Sequence, residues 1–351
     1  MTARFTVCRA NSTCLSTAVA PSPHSKKRTT SAFNLSRCIS GHKDLARDTG
    51  VILSLDDATP VADAIIRVFI ANGDRTNRAK ARLKYVLDAW GFTKFIEEVE
   101  KVLGRTLAKV DAGFVKPRPP VNRLAHIGAH RQKQAGLNWL GVWTPLGKLT
   151  GQEMRDIACV ARNYGDGDVR LTVWQNLILS GIADDKIDAA RAALAEAGLR
   201  CEVSNVRAGL VACTGNKGCK FAASDTKGHA LKIADHMDAH FDVDAPVNIH
   251  LTGCHHSCAQ HYIGDIGLIG AKVTVNDDGD QVEGYHLHVG GGYADQAAIG
   301  RLLQADVTAD ATPAVIEKLL RAYAQQRISP AETFQSFTAR HDIETLKGML
   351  T

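Results

Sequence analysis

Apolar residues recur at every third or fourth position in the first third of the chain. The spacing runs from Val61 to Phe69 and returns from Leu83 to Phe95, so it predicts helices within 60–103. A proline-rich run, KPRPP, follows at 116–120 and interrupts regular structure. We therefore interpret 116–123 as a linker between two domains.

Beyond the linker, short apolar runs alternate with amphipathic stretches. The pattern predicts strands at 137–142 and 168–174 and helices at 150–163 and 183–198, which together make an α+β module over 124–200. Further along, the same criteria predict helices at 226–240, 312–327 and 330–339, and strands at 246–251, 266–275 and 283–289. The fold class that follows is α+β.

Residues 1–39 are rich in Ser, Thr and basic residues and show neither a helical nor a strand period. Residues 1–43 contain seven Lys and Arg and no Asp or Glu. We interpret 1–39 as a disordered tail. An organelle transit peptide has the same composition, and a foreign N-terminus from a misplaced gene start is a third interpretation.

The chain has 351 residues, enough for two or three domains, and no apolar run approaches the roughly 18 residues that span a bilayer. No secretory signal pattern begins it. We expect a cytoplasmic protein with no membrane partner, or an organelle protein if 1–39 is a transit peptide. After residue 43 the chain holds 35 basic and 37 acidic residues, which gives no indication of a nucleic-acid groove.

The nine cysteines are an odd number in a long chain, which argues against a disulfide scaffold. Five of them show no metal-ligand spacing. Two of these five, Cys159 and Cys201, lie among apolar residues, and we expect both to be buried thiols.

The other four cysteines form two short-spaced pairs. Cys213 and Cys219 are separated by five residues, and Cys254 and Cys258 by three, with 34 residues between the pairs. Four thiolates suit a cubane iron–sulfur cluster, and the glycines at 215, 218 and 253 would let backbone amides approach its sulfides. A four-cysteine zinc site is an alternative that the five-residue gap fits poorly, and unmetallated thiols are another.

Three motifs resemble one known family. TGC-x3-C-x6-DIGL runs from Thr252 to Leu268, CTG-x3-CKFAASDTK begins at Cys213, and RLTVWQNL begins at Arg170. Together they resemble the nitrite and sulfite reductases that contain siroheme and a [4Fe–4S] cluster. The resemblance extends from about Ser40 to the C-terminus, and it implies a ferredoxin-like half-domain followed by a siroheme and [4Fe–4S] α+β domain.

The resemblance implies a cluster held by Cys213, Cys219, Cys254 and Cys258, with the sulfur of Cys258 bridging to the siroheme iron. Nitrite or sulfite would bind on the far side of that iron and take six electrons, giving ammonia or sulfide. The electrons would come from a ferredoxin or a flavoprotein, because the chain has no dinucleotide-binding fingerprint of its own. The residue before Cys258 is Ser257, as in nitrite-type members, whereas sulfite-type members commonly have Gly there.

Siroheme carries eight carboxylates, so its pocket needs cations. A basic run lies in a segment that resembles the end of the family's first catalytic domain, and we expect Arg82 and Lys84 to contact carboxylates. A solvated helix face is the plain alternative for such a run. Gln175 and Asn176 are expected near the cofactors, although a Gln-Asn pair at a strand end is often only a turn.

Complete members of the family contain two similar halves. Residues 124–200 correspond to the second ferredoxin-like half-domain and 201–351 to the cluster domain, whereas 40–115 correspond only to the end of the first catalytic domain. The first ferredoxin-like repeat and its Arg/Lys motif have no counterpart. We therefore expect an impaired product of a truncated gene, or one part of a split enzyme whose missing N-terminal half acts in trans.

Two other functions stay open. A precorrin-processing relative in cobalamin synthesis shares the cysteine signature. A module that carries only the cluster and transfers electrons would need the same four thiolates but no siroheme.

Overall fold

The computed structural model describes residues 14–21, 29–36, 45, 47–77, 80–109 and 121–350. The chain divides into two compact units, Met1–Pro120 and Val121–Thr351. Most of the predicted linker at 116–123 lies outside the described residues.

The first unit combines an antiparallel sheet with two helices. Its elements in chain order are β1 (Cys14–Pro21), β2 (Thr29–Ser36), β3 (Arg47–Ser54), α1 (Ala58–Asn72) and α2 (Leu83–Leu103). Val61, Ile65 and Val68 on α1 are buried with Phe95 and Val99 on α2 in one apolar core. The helical pattern found at 60–103 is confirmed, because the residues that produced it are those that the helices bury.

The expectation that residues 1–39 lack regular structure is wrong for two stretches. Strands β1 and β2 lie in this segment, paired with each other from Cys14 to Pro21, and β2 pairs in turn with β3. Their sequences, CLSTAVAP and TTSAFNLS, have no strict alternation. Antiparallel pairing with the next strand supplies the backbone hydrogen bonds here, and without an apolar alternation this pairing leaves little signal in the sequence.

The second unit begins with a four-stranded antiparallel sheet in the order β4-β5-β7-β6, which carries two helices. The elements are β4 (Gly128–Arg131), β5 (Leu137–Val142), α3 (Gly151–Tyr164), β6 (Val169–Leu171), β7 (Leu177–Ala183) and α4 (Ile187–Glu196). Thr150 and Glu153 form a reciprocal capping box at the start of α3. The predicted strand at 168–174 is too long, because a hydrogen-bonded turn from Thr172 to Asn176 ends β6.

The rest of the second unit is built on a five-stranded sheet in the order β12-β11-β10-β9-β8. Its elements are α5 (Asn205–Ala208), β8 (Leu210–Ala212), α6 (Thr226–His240), β9 (Ile249–Thr252), β10 (Ile266–Thr274), β11 (Gln281–Val289), β12 (Arg301–Thr308), α7 (Thr312–Gln326), α8 (Phe334–Ala339) and α9 (Ile343–Gly348). Strands β8, β9 and β10 are parallel, and β10, β11 and β12 are antiparallel. Helices α6 and α7 cover the sheet through one large apolar core.

The α+β fold class is confirmed, and so are the helices predicted at 226–240 and 312–327. One cysteine prediction is wrong: Cys201 is buried, but Cys159 is exposed. Helix α3 buries Ile157 and Val160, and Cys159 points away from that face. In the part of the chain that the structure describes, no helix combines the length and the apolar character that crossing a bilayer requires.

Candidate metal centre

The four predicted ligands follow two neighbouring parallel strands. Cys213 comes directly after β8, and Cys254 comes two residues after β9. The strands pair with Ala212 opposite Leu251, and the Cys213 amide continues the ladder by donating to the Leu251 carbonyl at 3.0 Å. Helix α6 connects the strands, so residues 41 positions apart in sequence meet at one sheet edge, where α/β folds commonly place their sites.

A backbone amide points at one of the sulfurs. The N–H of Gly253 donates to Cys213 Sγ at 3.1 Å. A side chain at 253 would place its Cβ 2.5 Å from the Cβ of Ala222, so only glycine fits this approach. An amide donor stabilises negative charge on a thiolate ligand, as iron–sulfur sites require.

The start of α6 supports the same cysteine. Thr226, the first residue of the helix, donates its hydroxyl to the Cys213 carbonyl at 2.7 Å, and its Oγ1 lies 3.6 Å from Cys213 Sγ. Gly215 has φ +69°, and a Cβ there would lie 2.8 Å from the Thr226 amide. The loop from Cys213 to Cys219 is therefore fitted closely against the helix.

The remaining thiols are crowded electrostatically. Burial raises the pKa of Cys254, and the nearby thiols of Cys213 and Cys219 raise it further. Burial and the other three cysteines act on Cys258 in the same direction, raising its pKa. Four thiolates in one place repel one another, and bound iron relieves that repulsion. Cys258 is exposed, whereas the other three are only partly accessible.

The spacing of the sulfurs bears on the zinc alternative. No three of the four thiols, all of them described residues, lie within 4.8 Å of one another. Tetrahedral zinc with Zn–S bonds of about 2.3 Å needs its sulfurs about 3.8 Å apart. A cluster of four irons holds its thiolates farther apart than a single zinc ion does.

The side-chain amides of Gln175 and Asn176 form hydrogen bonds with other residues of the protein. The amide of Gln175 donates to the Ala212 carbonyl at 2.8 Å and accepts from the Ala212 N–H at 3.0 Å. Asn176 is buried, accepts from the Thr144 N–H at 3.0 Å and bonds to Nδ1 of His126 at 3.0 Å. Gln175 therefore holds the strand end that precedes Cys213. A direct contact of either residue with siroheme stays a prediction.

Arg82 and Lys84 lie at the beginning of α2 in the first unit. Arg82 is the residue before the helix, and its guanidinium donates to the Ala81 carbonyl at 2.8 Å. Lys84 is buried, with its ammonium 5.6 Å from the centre of the Tyr85 ring. A solvated helix face is thus wrong for Lys84. Carboxylate binding by these two cations stays a prediction.

The sequence analysis missed a buried polar group beside β9. Arg123 forms an ion pair with Asp265, which is fully buried and also accepts from the Asn248 N–H at 2.7 Å. Among the described residues, Arg123 Nε, Asn248 Nδ2 and His250 Nε2 have no hydrogen-bond partner. Buried polar atoms are rarely left unpaired, so the donors Arg123 Nε and Asn248 Nδ2 suit the acceptor groups of a bound ligand. His250 donates its Nδ1 proton to the Gln260 carbonyl, so its Nε2 suits a donor group. Asp265 belongs to the signature segment, but no local signal pointed to Arg123.

Aromatic rings surround these polar atoms. The Trp174 ring stacks on His126 at 5.4 Å and meets the edge of His250 at 5.9 Å. Tyr293 packs on Trp174 at 5.6 Å and lies under the Arg123 guanidinium at 5.7 Å. Burial lowers the pKa of His250 to about 4, so its ring is neutral at physiological pH.

Comparison with known families decides the relationship. A profile described as "Nitrite and sulphite reductase 4Fe-4S domain" matches residues 34–107 and 202–344, and one described as "Nitrite/Sulfite reductase ferredoxin-like half domain" matches 130–197. The chain belongs to the nitrite and sulfite reductase family. Members of this family use siroheme and a [4Fe–4S] cluster. The first match begins at residue 34, inside the segment 1–39 that had no assignment.

Curated relatives agree with this placement. The chain is 38% identical over 257 residues to a ferredoxin–nitrite reductase of Synechococcus elongatus, covering 73% of this chain and 49% of that protein. It is 34% identical over 310 residues to sulfite reductase [ferredoxin] 1 of Mycolicibacterium paratuberculosis, covering 86% and 55%. The chain thus spans about half the length of the curated relatives it matches.

A solved structure extends the likeness to the fold. The Mycobacterium tuberculosis NirA protein superposes with a TM-score of 0.82 at 29% identity, covering 95% of this chain and 60% of that one. The resemblance recognised from the cysteine motifs is therefore confirmed at the level of family and fold.

Proposed function

We propose that this chain carries the cluster half of a siroheme-dependent nitrite or sulfite reductase. Cys213, Cys219, Cys254 and Cys258 would hold the [4Fe–4S] cluster. The observation that carries the proposal is the convergence of both cysteine pairs at the ends of β8 and β9, with the Gly253 amide directed at Cys213. Cluster and siroheme together supply electron transfer to an anion bound at iron.

Cys258 is the residue assigned to the bridge between cluster and siroheme. Cys258 is exposed, whereas the other three thiols are partly buried, so its sulfur has room to bind a second metal. Its backbone is fixed by Ser257, which has φ +54° and contacts His261 Nδ1 through its hydroxyl at 2.9 Å. A fixed backbone would orient the Cys258 sulfur, which matters because a bridging sulfur must bind two metal centres with suitable geometry.

Several donors are available for the carboxylates of siroheme. Arg123 and Asn248 offer donor atoms that no described residue uses, and Arg82 and Lys84 are the candidates from the first unit. These groups would orient the macrocycle and exclude water from its buried side. Trp174 would lie beside them as an apolar wall.

The proposed substrate is nitrite or sulfite, and the proposed electron donor is a ferredoxin or a flavoprotein. The matched relatives from Synechococcus and Mycolicibacterium carry ferredoxin in their names. Ser257 before Cys258 favours nitrite by its likeness to nitrite-type members. Lys217 and Lys220 are exposed in the loop between the first two cysteines and would suit an acidic donor protein.

Turnover is proposed to need a second ferredoxin-like repeat, on a longer form of this polypeptide or on a separate chain. The edge strand β6 supports this. Leu171 is 84% exposed, and Val169 lies on the same alternating side of the strand. Val173, in the turn that follows β6, is 72% exposed. An exposed apolar edge of this kind favours burial against a similar strand.

Anaerobic reconstitution with iron, sulfide and siroheme tests the proposal. The expected product contains four irons and four acid-labile sulfides per chain, gives a cubane EPR signal on reduction and shows a siroheme absorption band. Stoichiometric zinc without labile sulfide would reject it. A cluster without any siroheme band would instead favour the electron-transfer module.

Activity separates the remaining alternatives. Reduced methyl viologen should drive nitrite or sulfite reduction only slowly with this chain alone, and faster after a chain with the other repeat is added. Reduction of neither anion under both conditions, together with oxygen-dependent precorrin conversion, would favour the cobalamin-pathway relative.

A further inference from the structure

A second group of metal-binding side chains lies on helices α6 and α7. His236 and His240 are one turn apart on α6, and Glu317 faces them from α7. One ligand atom from each of the three lies within 4.8 Å of the others. The imidazole rings are nearly parallel, with centroids 4.3 Å apart, and His236 Nε2 is 2.6 Å from Glu317 Oε2.

The surrounding hydrogen bonds favour metal coordination over a simple ion pair. Nδ1 of His240 lies 2.8 Å from the His236 carbonyl, so it carries the proton and leaves the Nε2 lone pair free. Arg321 donates to Glu317 Oε1 at 2.7 Å, which leaves Oε2 to face the histidines. Arg321 also donates to the His240 carbonyl at 2.7 Å and so holds the two helices together at this point.

The charge of the carboxylate is settled by its neighbours. The hydrogen bond from Arg321 lowers the pKa of Glu317, and the hydrogen bond with His236 lowers it further. Glu317 is therefore ionised at neutral pH and available as an anionic ligand. His236 and Glu317 are partly buried while His240 is exposed, so one side of the group is open to water.

We propose that His236, His240 and Glu317 form a binding site for a divalent transition metal of the zinc class. Imidazole and carboxylate ligands suit zinc, nickel and copper, and two histidines four residues apart on a helix present both rings to one ion. The ligand atoms are the Nε2 atoms of both histidines and Oε2 of Glu317. Water completes the coordination, and the metal takes the place of the direct contact between His236 and Glu317.

The site is separate from the cysteine centre. Helix α6 has 15 residues, with Thr226 against Cys213 at its first position and His240 at its last. At about 1.5 Å per residue, the two ends are on the order of 20 Å apart. A metal at the far end would fasten α6 to α7 and stabilise the helix that supports Cys213.

The test uses the cluster-loaded chain and zinc chloride as the probe. Competition with a chromogenic chelator should give one zinc per chain, with a dissociation constant in the micromolar range or below. His236→Gln and His240→Gln should each weaken binding by at least about 10-fold. Glu317→Gln should weaken it less, and His286→Gln, at a half-buried histidine on β11, should leave it unchanged.

Two further readouts keep the result unambiguous. The EPR signal of the cluster should persist during the zinc titration, which shows that zinc does not replace iron at the cysteines. Zinc should also raise the unfolding temperature of the parent chain but not of the His240→Gln variant. Equal zinc binding by the parent and by both histidine variants would overturn the proposal, as would no binding above that of a chelator blank.

Discussion

The side-chain amide of Gln175 pairs with both backbone polar groups of Ala212. Its oxygen accepts from the Ala212 N–H at 3.0 Å, and its nitrogen donates to the Ala212 carbonyl at 2.8 Å. Gln175 thus acts as one more strand residue along the free edge of β8. It links the turn after β6 to the residue that precedes Cys213.

Replacing Gln175 should loosen the cysteine centre without removing a ligand. Gln175→Ala leaves two backbone groups of β8 without their partner, which costs about 1–3 kcal/mol of folding stability. We expect faster loss of cluster absorbance on exposure to a chelator, and a lower unfolding midpoint. Gln304→Ala, at an exposed position on β12, is the matched control. Equal chelation rates in both variants would contradict the assigned role.

Each of the four cysteine ligands should be needed for the cluster. Serine at position 213, 219, 254 or 258 replaces a soft thiolate by a hydroxyl that suits iron–sulfide poorly. Iron and labile sulfide should fall to a small fraction of the parent value after anaerobic reconstitution. Cys159→Ser, which changes an exposed thiol far from the strand ends in sequence, should retain the full content.

Ser257 should tolerate glycine but not a branched side chain. Its φ of +54° lies in the left-handed region, where a β-branched residue is strained. Ser257→Gly should keep the cluster, and Ser257→Val should destabilise the loop by about 1–2 kcal/mol and lose most of the iron. Ser257→Ala separates the backbone effect from the lost contact with His261.

Stability should fall as the pH is lowered from about 6.5 towards 4. Burial lowers the pKa of both His126 and His250 to about 4. Between about pH 6.5 and 4 these histidines are therefore protonated in the unfolded chain but neutral in the folded chain. The stabilising contribution is complete above the unfolded pKa of about 6.5. This contribution to the free energy of unfolding is lost as the pH falls through the pKa of the folded state. The total loss is about 3 kcal/mol for each histidine.

Denaturant midpoints measured from pH 7 to pH 4.5 test this dependence. A variant with Gln at positions 126 and 250 should show a flatter profile than the parent chain. His286→Gln, at a more exposed position, should follow the parent. Parallel profiles for all three proteins would show that other groups dominate the acid sensitivity.

The exposed edge of β6 should control self-association. Leu171→Lys places a charge at a position that is 84% exposed, where it interferes with strand pairing between chains. We expect a smaller fraction of dimers and aggregates by light scattering, with the cluster retained. Leu302→Lys, at an exposed apolar position on β12, is the control. A decrease of the same size in both variants would indicate a general solubility effect.

The sequence predicted the longer helices of both units because each buries a regular apolar stripe, whereas the short helices α5 and α9 were not predicted. Val61, Ile65 and Val68 are an example, and they enter the core as the period requires. The sequence did not predict β3, β4 or β7, and it missed β8 and β12 for opposite reasons. Three fully buried residues in β8 have no alternation to detect, and β12 exposes apolar Leu302 beside buried Leu303.

The proposed cysteine ligands follow from spacing and motif, but the residues that support them could not be predicted. Arg123 lies 142 residues from Asp265 in the sequence, and no pattern around Arg123 predicts a buried ion pair. Gln175 and Asn176 were noted for a contact with the cofactors that stays a prediction, whereas their hydrogen bonds to Ala212 and Thr144 appear only in the folded chain. Long-range pairing is set by topology, which a single sequence records weakly.

One cysteine pair precedes helix α6 in the sequence and the other follows it. A metal cluster bound by both pairs would therefore close a loop of some forty residues. A chemical bond across such a loop removes freedom from the unfolded chain, as a disulfide does, by about 4 kcal/mol in the chain-entropy description. Folding of this unit is then coupled to the delivery of iron and sulfide. The concentration of intact chain in a cell would follow its iron supply, because chains without the cluster unfold more often and meet proteases first.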